Sequence, residues 1–149
     1  MYQMPERREP AMKMIKITTD NQISVHDFPE GSFEEQNKSL RDYIGPKCEL
    51  FERVMPKRLY NELRGSRERG NCVRMLVDED GHYNGSSENI VASWLYETDK
   101  HGHPILGNVL IVGEKLEGPG ISLCGIPGDQ FDLLFPQLRK LTEKARKIG

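Results

Sequence analysis

Cysteine is scarce in this chain of 149 residues, long apolar runs are missing, and the excess of one charge over the other is small. Cys48, Cys72 and Cys124 are widely separated and form no metal knuckle, paired framework or activated-thiolate pattern. An odd, scattered set predicts reduced thiols in a cytosol that pack as small hydrophobes. The longest apolar stretch, around Val109 to Val112, falls far short of the roughly 20 residues that cross a bilayer, and the N-terminus shows no charged-then-apolar signal pattern. The expectation is a cytosolic protein with no membrane role. With 21 basic and 23 acidic residues the formal charge is −2, so no global field attracts nucleic acid, and such a partner would need a local patch. No internal repeat, heptad array or low-complexity tract is present.

One domain of this length buries roughly 70% of its unfolded surface, enough for one real core. Only 36% of the residues are hydrophobic and 30% are charged, so much of the chain is surface. Residues 1–13 are polar, carry two prolines and lack periodicity, which predicts a flexible leader ahead of a single domain over 14–149.

Alternation of Ile15 and Ile17, a turn signal at Asp20 and Asn21, and renewed alternation at Ile23 and Val25 predict a hairpin. Ser32 and Glu35 form a capping box for a helix that places Phe33, Leu40 and Ile44 on one face and stops at Gly45-Pro46. Residues 48–56 read as a strand closed by Pro56, and residues 57–70 as a short helical turn followed by a basic loop. Cys72 to Val77 reads as a strand leading into a tight hairpin turn at Asp80-Gly81. Ser86 or Ser87 is expected to cap a second helix bearing Ile90, Val91, Trp94 and Leu95, with Asn89 as a further cap at the helix start. The run after Gly107 suits a central strand, and Gly118-Pro119-Gly120 turns it into a partner strand. A last helix spans Asp129 to Lys147, with Phe131, Leu134, Leu138, Leu141 and Ala145 on one face, kinked or restarted at Pro136. The order of elements breaks strict β-α-β alternation. It predicts an α+β fold: a mixed, mostly antiparallel sheet of about six strands with about three helices packed on one face.

No catalytic constellation is legible: no nucleophile elbow, no paired carboxylates in an apolar setting, no phosphate cradle. The acidic segment 78–89 misplaces its glycine and its twelfth-position ligand for calcium. His101 and His103 supply only two of the three or four ligands that zinc needs. Hence no cofactor, no metal and no catalytic residue is assigned. The ligand-binding candidates are Arg64, Arg67, Arg69 and Arg74 in and beside the basic insert, with Tyr60 as a stacking face, and Asp78 and Asn89 on a rim of the sheet.

Three segments, IGPKCELFERV, MLVDEDGHYNGSSENIVASWLY and ILGNVLIVG, resemble a family of small phage and mobile-element proteins catalogued as domain of unknown function 3846. The resemblance covers residues 44–113 and is carried by Gly45, Glu49, the 77–81 turn, Asn89 with Ala92, and the Gly107 to Gly113 strand. It implies a mixed sheet, a bacterial cytosol and a mobile gene, and attaches no chemistry. The basic insert at 57–70 and the final helix depart from the family. The leading expectation is a non-enzymatic accessory protein that binds a host protein or its own copies. One alternative is a small-molecule binder that sequesters a nucleotide. Another is a nucleic-acid binder through the insert, against which the acidic balance argues.

Overall fold

A computed structural model describes residues 12–68 and 72–148. Arg69 and the 1–11 portion of the expected leader lie outside the described residues. In chain order the elements are β1 (Lys13–Ile17), β2 (Ile23–Asp27), α1 (Phe33–Ile44), β3 (Phe51–Val54), α2 (Lys57–Asn61), β4 (Cys72–Asp78), α3 (Ile90–Leu95), α4 (Thr98–His101), β5 (Val109–Glu117), β6 (Gly120–Cys124) and α5 (Gly128–Ile148). The fold is α+β. Its strands run β2-β1-β5-β4-β3, with β6 also paired to β5, and every one of these pairings is antiparallel.

The nine residues of β5 organise the sheet. The stretch Val109 to Ile111 pairs with β1, Leu110 to Glu114 pairs with β4, and Gly113 to Glu117 pairs with β6. Its apolar run is continuous because both faces of the strand are covered, which differs from the expectation of helices on one face only. Leu40 and Ile44 of α1 pack with Met14, Leu76, Leu110 and Val112 on one side. On the other, α2, α3 and α5 bring Leu59, Val91, Leu95, Leu134 and Leu138 against Ile15, Val73, Met75, Val109 and Ile111. Period-2 alternation sends successive side chains to opposite faces, so a strand with no polar face must be sandwiched.

Local chemistry explains most element ends. At α1 the Ser32 hydroxyl accepts from the Glu35 amide at 3.2 Å and the Glu35 carboxylate accepts from the Ser32 amide at 3.2 Å, the reciprocal capping box. Asn89, rather than Ser86 or Ser87, caps α3, accepting from the Ala92 amide at 3.0 Å. The segment 79–85 is not a hairpin turn: β4 pairs with β3 and β5, and the turn leads on to α3. Of the expected strand 48–56 only Phe51–Val54 pairs, at the sheet edge. Helix α5 runs unbroken through Pro136 rather than restarting. Pro136 sits on its exposed side, and the fully buried Leu134 and Leu138 on either side, worth about 1.5–3 kcal/mol each, hold the helix against the missing amide.

Candidate functional site

The residues nominated from the sequence separate to different parts of the sheet. At the loop end of β4, Asp78 accepts from the Asp80 amide at 2.9 Å and from the Asn84 side-chain amide at 2.7 Å. Asn89 is fully buried, and its Nδ2 donates to the carbonyls of Ile17 at 3.0 Å and Gly107 at 3.1 Å. Asn108 works in the same way, donating to the Ile44 carbonyl at 3.0 Å and accepting from the Thr19 amide at 3.1 Å. The segments around Gly45, Asp78 and Gly107 thus meet at a hollow of about 300 Å³. Their polar side chains are spent on stitching four chain segments together. Cys48 lines the same hollow, and burial, helped by Asp78, pushes its thiol up to about 11, so it is no nucleophile at neutral pH.

Toward the other end of β4, on the α1 face, lies a charge cluster that no sequence pattern announced. Glu114 of β5 is 4% exposed and sits between two guanidiniums, Arg74 from the adjacent β4 and Arg53 from β3 beyond it. Arg53 Nη1 lies 2.8 Å from Oε2, and Arg74 Nε lies 2.7 Å from Oε1. The Cys72 thiol donates to Oε1 at 3.3 Å, and this bond together with burial raises its pKa, burial being the larger cause. Arg74 Nη1 donates to the Tyr60 hydroxyl at 2.7 Å, and that hydroxyl in turn donates to the Val73 carbonyl, where β4 runs beyond the reach of β3. Tyr60, expected to offer a stacking face, is 7% exposed and has the Arg67 guanidinium 5.1 Å from its ring centre. Arg67 and Arg74 are therefore brought together around Tyr60. Arg64 is exposed, with a left-handed backbone (φ 65°) at the end of the α2 turn.

Beside this cluster runs a groove of about 280 Å³. Its floor includes Arg53 and Leu123, one wall is α1 with Phe33 and Leu40, and the other is the β5–β6 hairpin with Lys115, Glu117 and Ile121. Phe33 is 76% exposed and Ile121 44%.

The opposite face carries the most apolar surface feature. Between α3 and α5, Ile90, Val91, Trp94, Leu141, Ala145 and Ile148 line a groove of about 480 Å³. Ile90 is 54% and Ile148 80% exposed. Lys144 stands on its rim, and Lys140 and Lys147 are exposed one helical turn to either side. The last eleven residues contain five cations, Arg139, Lys140, Lys144, Arg146 and Lys147, against the single anion Glu143. Trp94 is held in place by Arg58, whose guanidinium lies 5.1 Å from the indole centre and forms a bidentate pair with Asp99 at 2.6 and 2.7 Å.

Among the described residues no group of three or more His, Cys, Asp or Glu side chains converges to hold a metal ion, and no helix is long and apolar enough to cross a membrane. His101 instead stacks on His103 and contacts the Tyr96 carbonyl at 2.9 Å. In comparisons with known proteins, no family model, curated protein or solved structure matches the chain.

Proposed function

We propose that this chain is a small accessory protein of a phage or mobile element that acts in the bacterial cytosol by binding a second protein, with the α3–α5 groove as its docking surface. The observation that carries this reading is the groove itself: a contiguous apolar surface, lined by a tryptophan and three isoleucine and leucine side chains, that the described residues leave open to solvent. Its dimensions and the parallel run of Lys140, Lys144 and Lys147 beside Leu141, Ala145 and Ile148 suit one occupant, an amphipathic helix of another protein with apolar residues at helical spacing and an acidic flank. The family resemblance supplies the mobile-element context.

The test is site-specific photo-crosslinking inside bacterial cells carrying the gene, with the crosslinker at Ile90 or Ile148 and, as control, at Val25, an exposed apolar residue of β2. The expected product at both groove positions, and not at Val25, is one protein crosslinked through an acidic amphipathic helix. Ile148→Glu should abolish the product from position 90. A crosslink to a second copy of the chain, with a dimeric mass in solution, would replace this reading by self-association, and equal labelling from Val25 would remove the groove from consideration.

A further inference from the structure

We infer that the groove beside the Arg53–Glu114–Arg74 cluster is a binding site for a small oxyanion carried on an apolar or aromatic body. The inference is independent of the α3–α5 surface and lies on the other face of the sheet.

A buried carboxylate needs one cation, and Glu114 has two. Arg74 alone satisfies the match: it is the less exposed of the two guanidiniums, its Nε approaches to 2.7 Å, and the Tyr60 hydroxyl locks its Nη1. The charge of Arg53 is therefore left over. Elsewhere on the groove walls Lys115 and Glu117 contribute one charge of each sign. Arg67, near Tyr60, adds another cation on the far side of Arg74. The described charged side chains of the cluster and groove, Arg53, Arg74, Arg67, Lys115, Glu114 and Glu117, thus keep a positive excess.

Arg53 is also the cluster member that lines the groove. Its bond to Glu114 through Nη1 fixes the guanidinium plane before any ligand arrives, which lowers the ordering cost of presenting its other N–H groups as a fork to a carboxylate or phosphate. Arg74 acts as a positioning residue, because it neutralises Glu114 and so prevents that carboxylate from repelling an anion. The remaining lining explains the body of the ligand. Leu123 on the floor and Leu40 at the base of the α1 wall are apolar, and the exposed Phe33 ring and Ile121 stand on opposite walls. Asn37, Gln36 and Ser122 add neutral hydrogen-bonding groups. At about 280 Å³ the groove is near the small end of ligand pockets, which suits a phosphate monoester or carboxylate on one ring system.

The experiment is an NMR and calorimetric titration of the full chain with phenyl phosphate, adenosine monophosphate, benzoate and inorganic phosphate, on wild type, Arg53→Gln and Phe33→Ala. Phe33 is exposed and Arg53 leaves the Glu114–Arg74 pair in place, so both variants should fold, which their melting curves check. Phenyl phosphate or adenosine monophosphate is expected to shift the amides of residues 36–40, 53 and 121–123. Its affinity should fall at least tenfold in Arg53→Gln and severalfold in Phe33→Ala, and raised salt should weaken it. Inorganic phosphate should bind more weakly and be insensitive to Phe33→Ala. Binding of an aromatic anion that is unchanged in Arg53→Gln, or no binding of any of the four probes at millimolar concentration, would overturn the inference.

Discussion

Asn89→Ala is the substitution for which the structure gives the firmest magnitude. The side chain is fully buried and makes three hydrogen bonds: one caps α3 through the Ala92 amide, and two tie the carbonyls of Ile17 in β1 and Gly107 before β5. Loss of the cap costs about 1 kcal/mol. Each buried carbonyl left without a donor adds about 1–2 kcal/mol, within the usual penalty for an unsatisfied buried acceptor. The sum is about 3–5 kcal/mol, a large part of the roughly 5–15 kcal/mol that holds a domain together. Two further variants separate the contributions. Asn89→Ser keeps a capping oxygen and loses both donor bonds, so it should cost about 1 kcal/mol less than alanine. Asn89→Asp keeps shape and cap but aims a carboxylate at two carbonyl oxygens, so at neutral pH it should be at least as damaging as alanine and should recover as the pH is lowered toward 5. Urea unfolding followed by circular dichroism measures all three. An alanine variant within 1 kcal/mol of wild type, or an aspartate variant equal to it, would refute the claim that this asparagine is the tie between β1, β5 and α3.

Three further outcomes follow from other contacts. Glu114→Gln strands two guanidiniums in place of an ion triad and should cost about 3 kcal/mol by denaturant unfolding, whereas Arg53→Gln leaves the Arg74 pair intact and should cost about 1 kcal/mol or less. In Gly113→Ala the new methyl would stand 2.5 Å from the Gly125 carbonyl oxygen, so a loss of about 1–3 kcal/mol and a shifted β5–β6 hairpin are expected in thermal melts and amide spectra. The Cys48 thiol ionises near 11 in the fold against 9 in the open chain, so the folded state resists losing that proton; its stability contribution is intact below pH 9 and fades as the pH climbs from 9 to 11. The check is iodoacetamide at pH 8.5, which should modify Cys48 only at the rate of global unfolding.

Legibility in the sequence followed the range of the interactions. The capping box at Ser32 and Glu35, the alternation of β1 and β2 and the apolar stripe of α5 each lie within one element and could be read directly. Covering of both sheet faces was harder to see, because Leu110 and Val112 could only be assigned to α1 once the order β1-β5-β4 was known. The 77–81 segment carries ordinary hairpin chemistry, yet the partner that β4 would need is supplied by β3 and β5, and the Asp78 and Asn84 side chains close the turn instead. Glu114 was hidden most completely. Its partners lie 61 and 42 residues away at Arg53 and Cys72, and only the sheet register puts them side by side. Its one local trace is a lone acid ending the longest apolar run. The proposed docking groove was half visible, as the apolar stripe of α5; what the pattern lacked was the knowledge that Ile90 and Ile148 stay uncovered.

Because β5 holds β1, β4 and β6 at once, the order of synthesis and the order of assembly cannot coincide. The β1–β2 hairpin and α1 leave the ribosome early, but the strand that gives them a sheet to join arrives 89 positions after their turn, as the Thr19–Asn108 bond records. Until then one edge of β1 and the inner stripe of α1 have nothing native to bind, a period in which a nascent chain is open to misassociation. Nascent chains halted before Val109 should therefore stay protease-sensitive from β1 onward, and protection should appear in one step once β5 and its hairpin partner have cleared the exit tunnel.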